Sequence, residues 1–108
     1  MKTGDIILIP FPFTNLTTSK ARPAVIVTIT KDYYKDVVIA AISSVLPNQL
    51  TDNEMIIQPS TSNKLKVKSV LKIDRLATVK QVDMIAPLGK LNASELNVFQ
   101  AIFKKLVD

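Results

Sequence analysis

Cysteine and histidine are both absent from the 108 residues. The lack of cysteine excludes disulfides and thiolate chemistry, and suits a reducing cytoplasm. The lack of histidine removes the usual general base at neutral pH and a preferred zinc ligand. Ser-His-Asp and Cys-His machinery are therefore excluded. Long hydrophobic runs are missing too: none approaches the roughly 20 residues needed to cross a bilayer. The start, Met1-Lys2-Thr3-Gly4-Asp5, reaches an acidic residue too soon for a signal peptide. The expectation is a cytoplasmic protein with no membrane contact.

What is present fits one soluble domain over residues 1–108, with 47% hydrophobic and 21% charged residues. The formal charge is +5 and the isoelectric point near 9.6. A basic surface suits nucleic acid, phosphate or an acidic protein partner, or simply keeps the protein soluble.

The apolar runs 6–9 and 24–29 are short and β-branched, and read as two strands. Residues 14–21 between them hold three Thr, a Ser, an Asn and a Lys, a hydroxyl-rich surface loop. Arg22 follows, biased towards extended backbone by Pro23. Residues 37–42 read as a central strand ending in Ser43-Ser44, and 55–57 as a short strand closed by Pro59. From Lys64 the residue types alternate. Leu65, Val67, Leu71 and Ile73 are apolar, while Lys64, Lys66, Lys68, Lys72 and Asp74 are charged. An extended segment here turns the lysines outwards, as a phosphate-binding stripe or as a solvated edge, and ends near Arg75. Residues 79–88 show no clean period. Asp83-Met84-Ile85 suggests one helical turn before Pro87, and Gly89 reads as a break. Asn92 with Glu95 has the spacing of a capping box, with Leu91 and Leu96 as a hydrophobic staple. Leu96, Phe99, Ile102, Phe103 and Leu106 then form one helical face. The fold expected is mainly β with α: a small, strongly bent antiparallel sheet or barrel with a C-terminal helix.

Six segments in order carry a resemblance: Gly4-Asp5-Ile6, Pro10-Phe11-Pro12-Phe13-Thr14, Arg22-Pro23-Ala24-Val25, Ala41-Ile42-Ser43-Ser44, Ser69-Val70-Leu71-Lys72-Ile73-Asp74 and Leu88-Gly89-Lys90-Leu91. No single segment is specific, but the ordered set resembles the MazF/PemK family of bacterial toxins over nearly the whole chain. The resemblance implies an SH3-like barrel and a homodimer. It implies a toxin of a type II toxin–antitoxin system, an endoribonuclease that cuts single-stranded mRNA without metal, cofactor or ribosome. It also implies an acidic antitoxin whose flexible C-terminal segment covers the active groove, with DNA met only through that antitoxin.

Cleaving RNA through its own 2′-hydroxyl requires loss of the 2′ proton, charge neutralisation on the phosphorane, and a proton for the departing 5′ oxygen. Arg22 matches the Arg of the family's Arg-Pro motif, and its guanidinium suits a phosphate oxygen. Ser43 stands where the family commonly has a catalytic Thr. The hydroxyl is retained, the stiffer β-branched side chain is lost, and Ser44 is placed to share the task. Lys72 and Asp74 match an Arg-x-Asp pair, with Asp74 either a general base or a holder of Lys72 or Arg22. Ser19, Lys20, Ser44, Lys68, Lys72 and Arg75 are the expected RNA contacts. Tyr33 and Tyr34 either stack on bases or pack at their turn. Two other classes stay open: a gyrase-poisoning toxin on the same fold, and a catalytically weakened homologue that binds RNA or antitoxin.

Overall fold

The computed structural model describes residues 1–10 and 21–108. Six antiparallel strands run β1 (Asp5–Pro10), β2 (Ala21–Ile29), β3 (Val37–Ser43), β4 (Glu54–Ile57), β5 (Ser69–Val79) and β6 (Ala86–Lys90), followed by helix α1 (Ala93–Leu106). They form one sheet in the order β4-β5-β3-β2-β1-β6. The hydrogen-bonded ladder does not close on itself, since β4 and β6 are its two edges.

The central strands are apolar without alternation because both faces are covered. Ala24, Val25, Ile26 and Val27 are all buried. Ile6, Val25, Ala40, Leu71 and Ile73 pack with Phe99 on the helix side, while Ile7, Ile9, Ala24, Ile26 and Ile39 form a second cluster on the other. The helix starts as its sequence dictates. The Asn92 side chain accepts from Glu95 N at 2.8 Å, and Glu95 accepts from Asn92 N at 2.9 Å. Phe99 is buried, with Leu96, Ile102, Phe103 and Leu106 packed around the same core. Gly4 has φ +94°, and an added Cβ would come within 2.9 Å of Leu96 Cδ1. Glycine is needed there for the left-handed backbone, while the Leu96 methyl at the end of a flexible side chain could give way.

Three expectations are corrected. Residues 64–68 are not a strand. Lys64 has φ +56°, Val67 is 53% exposed, and β5 begins only at Ser69. β5 then runs past Arg75 to Val79. Ala40 pairs with Leu76 but Ala41 with Lys72, so Ile73, Asp74 and Arg75 bulge out of the ladder with β3. Gly89 does not break the chain. It lies in β6, which pairs with β1 through Ile6↔Gly89 and Ile7↔Pro87, and the single 3-10 turn falls at Gln81–Asp83. Pro87 is tolerated because β6 is an edge strand.

The two edges meet through the segment between β4 and β5. Asn63 is fully buried. Its Oδ1 accepts from Ser60 N at 3.0 Å and Leu65 N at 2.9 Å, and its Nδ2 donates to Gln58 O at 2.8 Å. Lys64 N donates to Ser60 O, and Lys90 N of β6 donates to Ser62 O, both at 2.9 Å. A Cβ added at Gly89 would collide with the Ser62 carbonyl oxygen and lie 2.7 Å from that of Asn63. The loop leaving β4 thus sits directly on β6.

Asn63→Ala would strand the buried Leu65 N–H, the part-buried Ser60 N–H and the Gln58 carbonyl, and is expected to cost about 2–4 kcal/mol in urea unfolding with the m-value unchanged. Gly89→Ala is expected to cost about 1–3 kcal/mol through overpacking against the loop. A loss below about 0.5 kcal/mol, the range of a neutral surface change, would contradict either assignment.

Candidate active site

The site begins with a difference between two ladders. β2 pairs with β1 down to Ile9↔Arg22 and Pro10↔Ala21, but with β3 only from Ala24↔Ala41. Counting two residues beyond that pair brings Arg22 level with Ser43. The first residues of β2 therefore project past the β3 ladder at the rim of the sheet. Pro23, which offers no N–H, sits where β3 asks for none.

A cavity of about 330 Å³ opens at this rim. Its floor is apolar, from Leu8, Pro23, Ile42, Leu65 and Leu88. Its polar lining is Arg22 from β2, Ser44 just after β3, Lys64 and Lys66 from the loop, and Ser69 at the start of β5. Among the described residues, no carboxylate lines it. Three cations and the Ser44 hydroxyl around an apolar floor make a receptor for an anion with an organic body, while the Ser69 hydroxyl already donates to Val67 O at 2.9 Å.

The expected residues divide. Arg22 and Ser44 line the cavity; Ser43, Asp74, Lys68, Lys72 and Arg75 do not. Ser43 Oγ accepts from Val45 N at 3.1 Å, so this hydroxyl organises the turn that presents Ser44. Lys72 pairs with Ala41 and Glu54, further along the sheet. Asp74 is exposed in the β5 bulge, where its carboxylate accepts from Asn53 Nδ2 at 3.3 Å. It is four residues past Val70, the partner of Ser43, which is roughly 13 Å of extended chain. Ser19 and Lys20, with the hydroxyl-rich loop, lie outside the described residues. Tyr33 and Tyr34 are 93% and 75% exposed and meet only edge to face, at 5.6 Å between ring centroids. They belong to the turn between β2 and β3, at the other end of β2 from Arg22.

Lys64, Lys66 and Ser69 are the lining residues that strand-like alternation hides. A strand sends Lys64 and Lys66 to solvent beside Lys68 and Lys72. The left-handed backbone at Lys64 instead curls the segment over the rim. The signal for this was the preceding Ser60-Thr61-Ser62-Asn63, in which the Ser60 and Asn63 side chains each accept from the other's backbone N–H and favour a turn over a strand.

Among the described residues, no three His, Cys, Asp or Glu side chains gather in a group that could hold a metal ion, and no helix is long and apolar enough to cross a membrane.

No curated protein matches the chain. Solved structures do. An endoribonuclease in complex with its cognate antitoxin from a mycobacterial species superposes with a TM-score of 0.74 at 13% identity, covering 99% of this chain and 94% of that one. The Mycobacterium tuberculosis toxin MazF-mt6 gives 0.69 at 20% identity, with 96% of both chains covered. These likenesses establish the fold. The family model for the PemK-like, MazF-like toxin of type II toxin–antitoxin systems matches residues 2–107. With nearly the whole chain matched, the protein belongs to the PemK/MazF-like toxins of type II toxin–antitoxin systems.

Proposed function

We propose that residues 1–108 act as one toxin domain, a sequence-specific endoribonuclease that cuts single-stranded RNA by attack of the 2′-hydroxyl on the adjacent phosphate. The observation that carries this reading is the rim cavity, where Arg22, Lys64, Lys66 and Ser44 converge with no described carboxylate among them. The names of the structural relatives, an antitoxin-bound endoribonuclease and a MazF toxin, support it.

In this mechanism the 2′ oxygen forms a bond to phosphorus as the bond to the 5′ oxygen breaks. The products are a 2′,3′-cyclic phosphate and a 5′-hydroxyl. With no carboxylate among the described lining residues, the 2′ proton passes to a water molecule, while a Lys64 or Lys66 ammonium protonates the 5′ oxygen and regains its proton from solvent, so the protons balance. Arg22 holds a non-bridging oxygen and offsets the charge that builds on the phosphorane. The Ser44 hydroxyl supplies a further hydrogen bond, with Ser43 bracing its turn. The ammonium groups of Lys64 and Lys66 add positive potential and proton donors beside the leaving oxygen. No step needs a metal, because fixed donors stabilise the charge. Asp74, which accepts from Asn53 in the β5 bulge and does not line the cavity, is assigned no part in this step. The toxin works in the cytoplasm as a homodimer, and an acidic antitoxin silences it by laying a flexible C-terminal segment over the cationic groove.

Purified protein incubated with mixed-sequence RNA in EDTA is expected to make internal cuts ending in 2′,3′-cyclic phosphate or 3′-phosphate. Arg22→Ala should lower the cleavage rate about 100-fold or more. No cleavage, together with trapped gyrase–DNA complexes, would overturn the reading in favour of a gyrase poison.

Three cations on three phosphates give a log–log salt slope of about −2 for a single strand. RNA affinity should therefore fall roughly twentyfold between about 50 and 200 mM salt. A flat dependence would contradict the cavity as a phosphate receptor.

A further inference from the structure

A second cavity, of about 500 Å³, adjoins the first. The two share Lys64 and Leu88 in their linings. On the far side of Lys64, this second cavity carries Lys90, the loop residues Thr61 and Ser62, and Asp5. Neither the family match nor the resemblance that pointed to Arg22 assigns a role to this place. We propose that it is a nucleotide subsite, which holds the residue next to the scissile phosphate by gripping the flanking phosphate between Lys64 and Lys90. This inference rests on the RNA-cleaving reading and gives that site its second contact.

Three observations carry it. The first is continuity: one lysine stands in both linings, so a chain whose phosphate sits beside Arg22 passes Lys64 to reach the second cavity. The second is rigidity. Lys64 follows the buried Asn63 and has its own N–H held by Ser60 O, while Lys90 is tied through its N–H to Ser62 O. The backbones that carry the two lysines thus belong to one hydrogen-bonded unit. The third is chemistry. The volume falls within the range of small-molecule sites, about 300–1,000 Å³. Lys64 and Lys90 match a phosphate, and Ile6, Ile7 and Pro87 offer apolar contact for a base. Thr61 and Ser62 bring hydroxyls, and Asp5, whose carboxylate accepts from Lys2 N at 3.0 Å, brings an acceptor for a base edge. A mixed lining of this kind suits a nucleotide, whose phosphate meets the two lysines while its base edge donates to Asp5.

The test uses an oligonucleotide that the wild-type protein cleaves, made as a series with one uncharged methylphosphonate at each phosphate near the cut. Neutralising one flanking phosphate is expected to raise the wild-type KM about tenfold, the worth of one charged hydrogen bond, with kcat unchanged. Lys90→Gln should raise KM on the unmodified strand by the same factor and lose its sensitivity to that methylphosphonate. Circular dichroism should show an intact fold, since the Lys90 bond to Ser62 uses the backbone. If Lys90→Gln keeps the wild-type KM, or keeps the full methylphosphonate penalty, the subsite is overturned while the cleavage reading stands. If the wild-type protein neither cleaves nor binds RNA, both are overturned together.

Discussion

The contact between the Asn63 loop and Gly89 is the constraint on which the rest depends. The sheet is open as a hydrogen-bonded ladder, with β4 at one edge and β6 at the other. The chain leaving β4 crosses to β6, where the missing side chain of Gly89 lets the backbone of Ser62 and Asn63 lie against the strand. Asn63 makes this crossing stable in the interior by satisfying two N–H groups and a carbonyl with one side chain. An edge strand that would otherwise offer unpaired groups is thereby covered by a loop. The barrel-like bend is completed by an asparagine and a glycine rather than by a sixth ladder.

That crossing also creates the site. Arg22 arrives from β2, where the ladder with β3 has stopped. Lys64 and Lys66 arrive from the loop, after the crossing has turned it back over the rim. Like charges gathered around one cavity repel each other. They stay in place because each rides on backbone fixed elsewhere, Arg22 in the β1 ladder and Lys64 in the Asn63 turn. The backbone beneath Arg22 and Lys64 is therefore held in place with no anion bound. The same geometry explains the division of labour at Ser43-Ser44: the first hydroxyl bonds Val45 N, and the second lines the cavity.

The strands β1 to β3 and helix α1 were legible because their signals are local. Apolar runs bounded by Pro and polar residues mark the strands, and Asn92 with Glu95 marks the start of the helix by hydrogen bonds spanning three residues. Arg22 was legible through its Pro partner and its place at the head of an apolar run. The Lys64–Lys68 segment was not, because its alternation satisfies a strand and a curled loop equally. The choice was made by Asn63, through bonds that only a folded turn reveals, and by φ +56° at Lys64. β6 was hidden because proline and glycine punctuate it. At an edge strand against a close-packed loop both residues are favourable, yet in sequence both read as breaks. The bulge that carries Asp74 away from the rim leaves no sequence mark at all, since three extra residues change register without changing residue type.

The central claim is that phosphate is received where Arg22, Ser44, Lys64 and Lys66 meet. The most direct measurement is backbone and side-chain NMR of the ¹⁵N-labelled protein titrated with an RNA carrying a 2′-deoxy sugar at the cleavage position, so that it binds without reacting. The account predicts that saturable shifts centre on the Arg22 guanidinium and on the amides of Ser44, Leu65 and Lys66, while the turn bearing Tyr33 and Tyr34 stays unmoved. Shifts centred on that tyrosine turn, with the rim silent, would contradict it.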